Sequence, residues 1–166
     1  MEIIYISNSP EITRESGLLL SKLLKAGDII LLSGELGAGK TVFVSGIAQG
    51  LEVKGDITSP SFTILNIYNT RNKFRLVHAD FYRLDNISEI LNTGIEDYLY
   101  GNKFFTCMEW GNKIRDYLRQ EYLEVRIDYD LSDKDCRKLQ FESSSRYWDR
   151  KLRNYKGLIK NVFTRN

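Results

Sequence analysis

This 166-residue sequence predicts a single α/β domain, and three observations carry the prediction. A short apolar run, Ile29-Ile30-Leu31-Leu32, leads straight into a glycine-rich turn and then an amphipathic helix. Further strand-like runs alternate with helical ones on either side of it. The composition, 42% apolar and 28% charged, is that of an ordinary globular chain long enough to bury a core without disulfides. Disordered and fibrous classes are thereby excluded. No apolar run approaches the roughly 18–20 residues that a membrane-spanning helix needs.

Each element has its local reason. Ile3 to Ile6 reads as an edge strand. Ser9-Pro10 is a helix start, with Ser9 as N-cap and proline at the first helical position. Ile12, Leu19, Leu20, Leu23 and Leu24 supply that helix with an apolar stripe, and Gly27 is its expected end. Ile29 to Leu32 is apolar at every position, which suits a central parallel strand covered on both faces. Val42, Phe43, Ile47 and Leu51 mark a helix from about Lys40 to Gln49, closing near Gly50.

Ser61 to Tyr68 and Phe74 to Ala79 read as two strands joined through the polar turn Asn69 to Lys73. Short helical pieces follow at Asn86 to Leu91 and Ile95 to Leu99, broken at Gly94. Phe104 to Met108 is a second buried strand. Tyr122 to Tyr129 alternates, with Leu123, Val125 and Ile127 against Glu124, Arg126 and Asp128. Leu139 and Phe141 mark a last strand pairing with it. Cys107 and Cys136 form no metal-ligand pair, and the start of the chain has no export pattern. A reduced, cytosolic protein is expected, with no membrane role.

The chemistry is announced by Gly34-Glu35-Leu36-Gly37-Ala38-Gly39-Lys40-Thr41, a complete G-x-x-x-x-G-K-[ST] phosphate loop between strand and helix. Glycines let successive backbone N–H groups turn inward as an anion nest at a helix N-terminus. Lys40 brings a mobile positive charge to the β- and γ-phosphates, and the Thr41 hydroxyl is a ligand type that Mg²⁺ accepts. Such a site needs one acid for the metal and one group to position water. Asp80 and Glu109 stand at the carboxyl ends of apolar strands, where an α/β sheet places ligand-facing residues. Spacing leaves their division of labour open. Thr58, Ser59, Ser61 and Thr63 surround Pro60 as a polar turn or as a switch whose hydroxyls sense the γ-phosphate or metal. His78, the lone histidine, reads as a hydrogen-bonded core residue.

Together these runs resemble the bacterial TsaE (YjeE) family of P-loop ATPases. The resemblance rests on the phosphate loop, Thr58-Ser59-Pro60-Ser61-Phe62-Thr63, His78-Ala79-Asp80-Phe81-Tyr82-Arg83-Leu84 and Glu109-Trp110, in order over residues 1–142. It implies a three-layer P-loop NTPase-like fold, mostly parallel with an antiparallel hairpin extension. It implies ATP and Mg²⁺ as cofactors. The run Asn112-Lys113-Ile114-Arg115 agrees, since it lacks the aspartate of a guanine-reading Asn-Lys-x-Asp. The nucleotide-binding residues implied are Thr13, Gly37, Ala38, Gly39, Lys40, Thr41 and Val42. Thr41 and Glu109 serve the metal, Asp80 and Lys40 serve hydrolysis, and Trp110 is a nucleotide-responsive position. The implied function is ATP hydrolysis, weak alone, in support of the TsaD and TsaB proteins as they form threonylcarbamoyladenosine (t6A) at position 37 of tRNA. The tRNA is met indirectly, through that complex. A small-molecule kinase would need an arginine-rich lid, which the loops after Arg83 do not offer. A non-enzymatic ATP-dependent regulator would not need Asp80, Glu109 and Thr41 together.

Residues 143–166 stand apart by charge. They hold seven Lys/Arg against Asp149 alone, a local +6 that leaves residues 1–142 at −4 within a total of +2. Trp148, Leu152, Tyr155, Ile159 and Val162 fall on one helical face, and Arg146, Arg150, Arg153, Lys156 and Lys160 on the other. The expectation is an amphipathic helix packed on the ATPase domain, weakened at Gly157. Its basic face is either a solvated surface or a docking face for acidic protein or tRNA phosphate.

Overall fold

The computed structural model describes residues 1–71, 74–131, 133 and 135–163, with the side chains of 161–163 excepted. Seven strands and five helices follow in the order β1 (Glu2–Ser7), α1 (Pro10–Ser21), β2 (Ile29–Ser33), α2 (Lys40–Gly50), β3 (Leu65–Asn69), β4 (Arg75–Asp80), α3 (Ile87–Asn92), α4 (Glu96–Leu99), β5 (Phe104–Glu109), β6 (Tyr122–Tyr129), β7 (Arg137–Ser143) and α5 (Arg146–Phe163). Two single 3₁₀ turns, Gly111–Lys113 and Arg115–Tyr117, follow β5.

All seven strands form one sheet in the order β1-β7-β6-β2-β5-β4-β3. Strands β6, β2, β5 and β4 are mutually parallel at its centre. The expected hairpin, β3 on β4, extends one edge, and a second antiparallel extension, β6-β7-β1, closes the other. The expected turn from Asn69 to Lys73 falls partly outside the described residues, at 72 and 73.

The sheet separates two apolar layers. Ile30, Leu32, Phe105, Cys107, Val125 and Phe141 face α1, α2 and α5. Ile29, Leu31, Val77, Ala79 and Met108 face α3 and α4 through Ile90 and Leu99. The full apolarity of 29–32 follows from this: β2 is central, and both of its faces are covered.

Helix α1 starts as its sequence indicates, with the Ser9 hydroxyl accepting from the Ile12 amide at 3.3 Å and Pro10 next in line. It ends at Ser21 and not at Gly27, which instead turns the chain into β2 with a φ of +87°. Leu19, Leu20 and Leu24 of the expected stripe are in the core, and the buried face also takes in the small residues Thr13, Ser16, Gly17 and Ser21. The reason is close approach to α2. A methyl group on Gly17 would lie 2.1 Å from the Phe43 carbonyl oxygen, and one on Gly46 would lie 1.8 Å from that of Arg14. Gly46→Ala is therefore expected to force the helices apart at a cost of about 1–3 kcal/mol, read as a lower midpoint in urea denaturation. A midpoint equal to wild type would contradict that packing.

A second difference lies at 61–64. The strand expected from Ser61 begins only at Leu65, because Ser61 to Thr63 form a turn and Ile64 takes a left-handed φ of +65°. Helix α5 buries Trp148, Leu152, Tyr155 and Ile159 in the layer shared with α1. The Val162 side chain and Arg165 lie outside the described residues. Lys151 turns inward, ion-paired to buried Asp28, whose other oxygen accepts from the Tyr147 hydroxyl at 2.6 Å. Burial lowers the Lys151 pKa, and the Asp28 carboxylate opposes that.

Candidate active site

The phosphate loop follows β2, and its Gly34, Gly37 and Gly39 all take positive φ, the last as the N-cap of α2. The first-turn amides of α2 thus face outward at the carboxyl end of the sheet, where anions gather at a helix N-terminus. Lys40 opens the helix and folds back over the loop. Its ammonium donates to the carbonyl oxygens of Gly34 (2.9 Å) and Glu35 (2.7 Å) and lies 4.5 Å from the centre of the Trp110 ring. Burial pulls the Lys40 pKa below the usual lysine range, while Glu109, Asp80 and Asp128 hold it up. Those three carboxylates are the negative surroundings that keep a buried lysine charged.

Strands β4 and β5 place Asp80 and Glu109 directly opposite each other in register, both 4% exposed. The Thr41 hydroxyl donates to Glu109 Oε1 at 2.7 Å, and His78 Nε2 lies 2.8 Å from the same oxygen. A carboxylate only accepts, so His78 carries its proton on Nε2. His78 Nδ1 has no hydrogen-bond partner among the described residues. The histidine is thus a core residue, as its sequence context suggested, and also the support beneath Glu109.

Asp80 is held from the switch segment. Its Oδ2 accepts from Ser59 (3.1 Å) and Ser61 (2.6 Å), and its Oδ1 accepts from the Tyr82 amide (2.9 Å). These bonds explain the turn at 61–63: two hydroxyls are drawn to a buried carboxylate, and the chain enters β3 late. The other two candidate switch residues stay outside. Thr63 donates to Asn66 Oδ1 at 2.9 Å, and Thr58 is exposed.

One cleft gathers Gly37, Gly39, Lys40, Thr41, Val42, Ser59, Ser61, Asp80, Glu109 and Trp110. Ala38 lies beneath it, fully buried. Thr13 is 1% exposed, with its hydroxyl 2.8 Å from that of Ser7 and its methyl facing Gly39, so it supports the loop from behind. Trp110 has a left-handed φ of +58° and packs against Tyr82 with ring centres 5.1 Å apart. Lys113 braces the segment after Asp80 by donating to the carbonyls of Phe81, Tyr82 and Leu84. Nothing in the spacing pointed to Lys113, since it acts on backbone atoms brought near only by the fold. Arg83 lies over the exposed Phe62 ring at 4.3 Å.

The donor set suits Mg²⁺. Among the described residues no group of three His, Cys, Asp or Glu gathers as a protein-only metal cage. A threonine hydroxyl bonded to a buried carboxylate, beside a second carboxylate and a phosphate-binding loop, supplies the few hard oxygens that Mg²⁺ takes from protein.

Comparison with known proteins agrees with this architecture. The family model described as threonylcarbamoyl adenosine biosynthesis protein TsaE matches residues 7–139. A tRNA threonylcarbamoyladenosine biosynthesis protein TsaE from Treponema pallidum is 37% identical over 122 residues, covering 74% of this chain and 88% of that one. Its counterpart from Bacillus subtilis is 39% identical over 120 residues, covering 72% and 73%. The crystal structure of Bacillus subtilis YdiB superposes with a TM-score of 0.78 at 28% identity, over 94% of this chain and 95% of that one.

Proposed function

The chain belongs to the TsaE family, and from that premise we propose that it is a Mg²⁺-dependent ATPase required for threonylcarbamoylation of adenosine 37 of tRNA. It acts with the TsaD/TsaB transferase and meets tRNA through that complex, in the cytoplasm. No helix among the described residues is long and apolar enough to cross a membrane. The observation that carries the reading is the joining of Thr41, Glu109 and His78 by hydrogen bonds, with Asp80 alongside, at the mouth of a complete phosphate loop.

Each group has a task that its surroundings favour. The amides of Gly37 to Val42 receive the phosphates. Lys40 gives up the Gly34 and Glu35 carbonyls and turns its ammonium to the β- and γ-phosphates. Thr41 and Glu109 would hold Mg²⁺, which when bound neutralises charge on the phosphate oxygens. Asp80, aimed by Ser59 and Ser61, orients and deprotonates the attacking water. Loss of those serine bonds would free Asp80, so the switch segment couples the state of the γ-phosphate to the water-positioning acid.

Hydrolysis by the chain alone is slow, because among the described residues no arginine lines the cleft and Arg83 is engaged on Phe62. ATP hydrolysis is expected to rise when TsaD and TsaB are added. Transfer of the γ-phosphate to a small acceptor, with no such rise, would make the protein a kinase. Glu109→Ala is expected to move the Mg²⁺ titration of ATP hydrolysis at least about tenfold to higher concentration. A titration matching wild type would remove Glu109 from the metal.

A further inference from the structure

We propose that the exposed face of α5 docks the sugar–phosphate backbone of a structured RNA, a direct contact additional to the one made through the TsaD/TsaB complex, with Gly157 the point of closest approach. The face stands outside the span of the family model, which ends at residue 139. Arg146, Arg150, Arg153, Lys156 and Lys160 are all exposed and gather on one side of the helix, along about 21 Å at 1.5 Å per residue. Arg146, Arg150, Arg153 and Lys156 make no ion pair among the described residues. Lys151 sits on the opposite, buried side, ion-paired to Asp28. The inward and outward cations are thus sorted: Lys151 is spent on the fold, and Arg146, Arg150, Arg153 and Lys156 are presented together on the exposed side.

Gly157 is the second observation. It lies in the middle of the basic stripe of an exposed helix, where glycine is less favourable than alanine. The other two mid-helix glycines, Gly17 and Gly46, are explained by backbone oxygens about 2 Å from where a methyl would go. At Gly157 such a methyl would meet nothing within 4 Å. The fold gives no reason for the missing side chain, and the bare backbone leaves room for close approach from outside.

Three partners fit a basic helix, and two of them fail here. A membrane surface needs an apolar face to insert, but Trp148, Leu152, Tyr155 and Ile159 are already in the core. A protein partner needs apolar or aromatic anchors at the centre of the contact; the exposed positions of 146–160 are Arg, Lys, Asn and Gly, while the half-buried Tyr147 and Leu158 pack against the core and Asp149 pairs with the N-terminus. A phosphate backbone needs only cations and close approach. The acidic remainder of the chain, −4 over residues 1–142, leaves α5 as the side from which a polyanion is received.

RNA binding at this face does not depend on ATP hydrolysis. Binding of the full chain to a labelled tRNA transcript is measured by fluorescence anisotropy between 50 and 200 mM salt, beside ATP binding by the same proteins. The triple variant R146Q/R150Q/R153Q is expected to lose at least about tenfold in RNA affinity and to lower the salt slope by about 2–3, with ATP binding unchanged. Gly157→Ala is expected to raise the melting temperature by about 2–4 °C yet weaken RNA binding several-fold. A merely structural glycine would give the first effect without the second. Wild-type RNA affinity in either variant contradicts the proposal. So does loss of binding to TsaD/TsaB with RNA affinity intact, which would make the face a protein contact, and so does equal binding to anionic lipid vesicles.

Discussion

Lys40→Ala is expected to abolish tight ATP binding and, with it, all support of tRNA modification. Among the described residues its ammonium is the one cation that lines the cleft, and three nearby carboxylates keep it charged despite burial. In the present arrangement it caps two loop carbonyls and lies over Trp110, so it is already at the mouth of the anion nest. Removing it leaves Asp80 and Glu109 facing the phosphates uncompensated. The nest amides remain, but repulsion from two buried carboxylates opposes them. A loss of at least about a hundredfold in ATP affinity is expected, a deficit of about 2.7 kcal/mol. Isothermal titration with ATP and Mg²⁺ measures it. A variant that binds ATP as wild type does would end the phosphate-loop assignment.

Asp80→Asn is expected to separate binding from turnover. The amide keeps the size of the carboxylate: its oxygen can still accept from the Tyr82 amide, and its NH2 can donate to the Ser59 and Ser61 hydroxyls, which turn to accept, so the switch segment stays in place. What disappears is the negative charge that accepts a proton from water. Turnover with TsaD and TsaB is expected to fall roughly 10²–10⁴-fold, the range for a lost general base, with ATP affinity within a few-fold of wild type. Equal losses in affinity and turnover would make Asp80 a binding group, and unchanged turnover would pass the role to another residue. His78→Gln offers a graded companion. Glutamine can replace the Nε2–H donor to Glu109, so its Mg²⁺ dependence is expected to stay nearer wild type than that of His78→Ala.

These expectations rest on features that differ in how openly the sequence displays them. The phosphate loop is local: eight consecutive residues contain the nest, the lysine and the hydroxyl, and their neighbours supply strand and helix. Central strand β2 was legible for a similar reason, since burial on both faces leaves no polar position. Asp80 and Glu109 were visible as strand-end acids, but their adjacency depends on β4 pairing with β5 in one register, which no local pattern encodes.

The misread stretches have one cause in common, a distant group overriding a local preference. Ser61 to Thr63 looks like the start of a strand until Asp80, nineteen residues beyond Ser61, claims its hydroxyl. The leucine stripe of α1 was visible, but not the small residues beside it, whose use appears only when Gly46 of α2 is set against Arg14. His78 illustrates the opposite case. Its reading as a hydrogen-bonded core histidine holds at Nε2, yet the partner there is Glu109 Oε1, which makes a buried residue part of the site.

The most direct test of the account is threonylcarbamoylation of tRNA reconstituted from purified components, with TsaD, TsaB and the threonylcarbamoyl donor held constant and this chain and ATP added or withheld. The account predicts repeated rounds of modification only when the wild-type chain and hydrolysable ATP are both present, and none with the Lys40→Ala or Asp80→Asn variants. Equal multiple-turnover modification in the absence of this chain, or with either variant in its place, would contradict it.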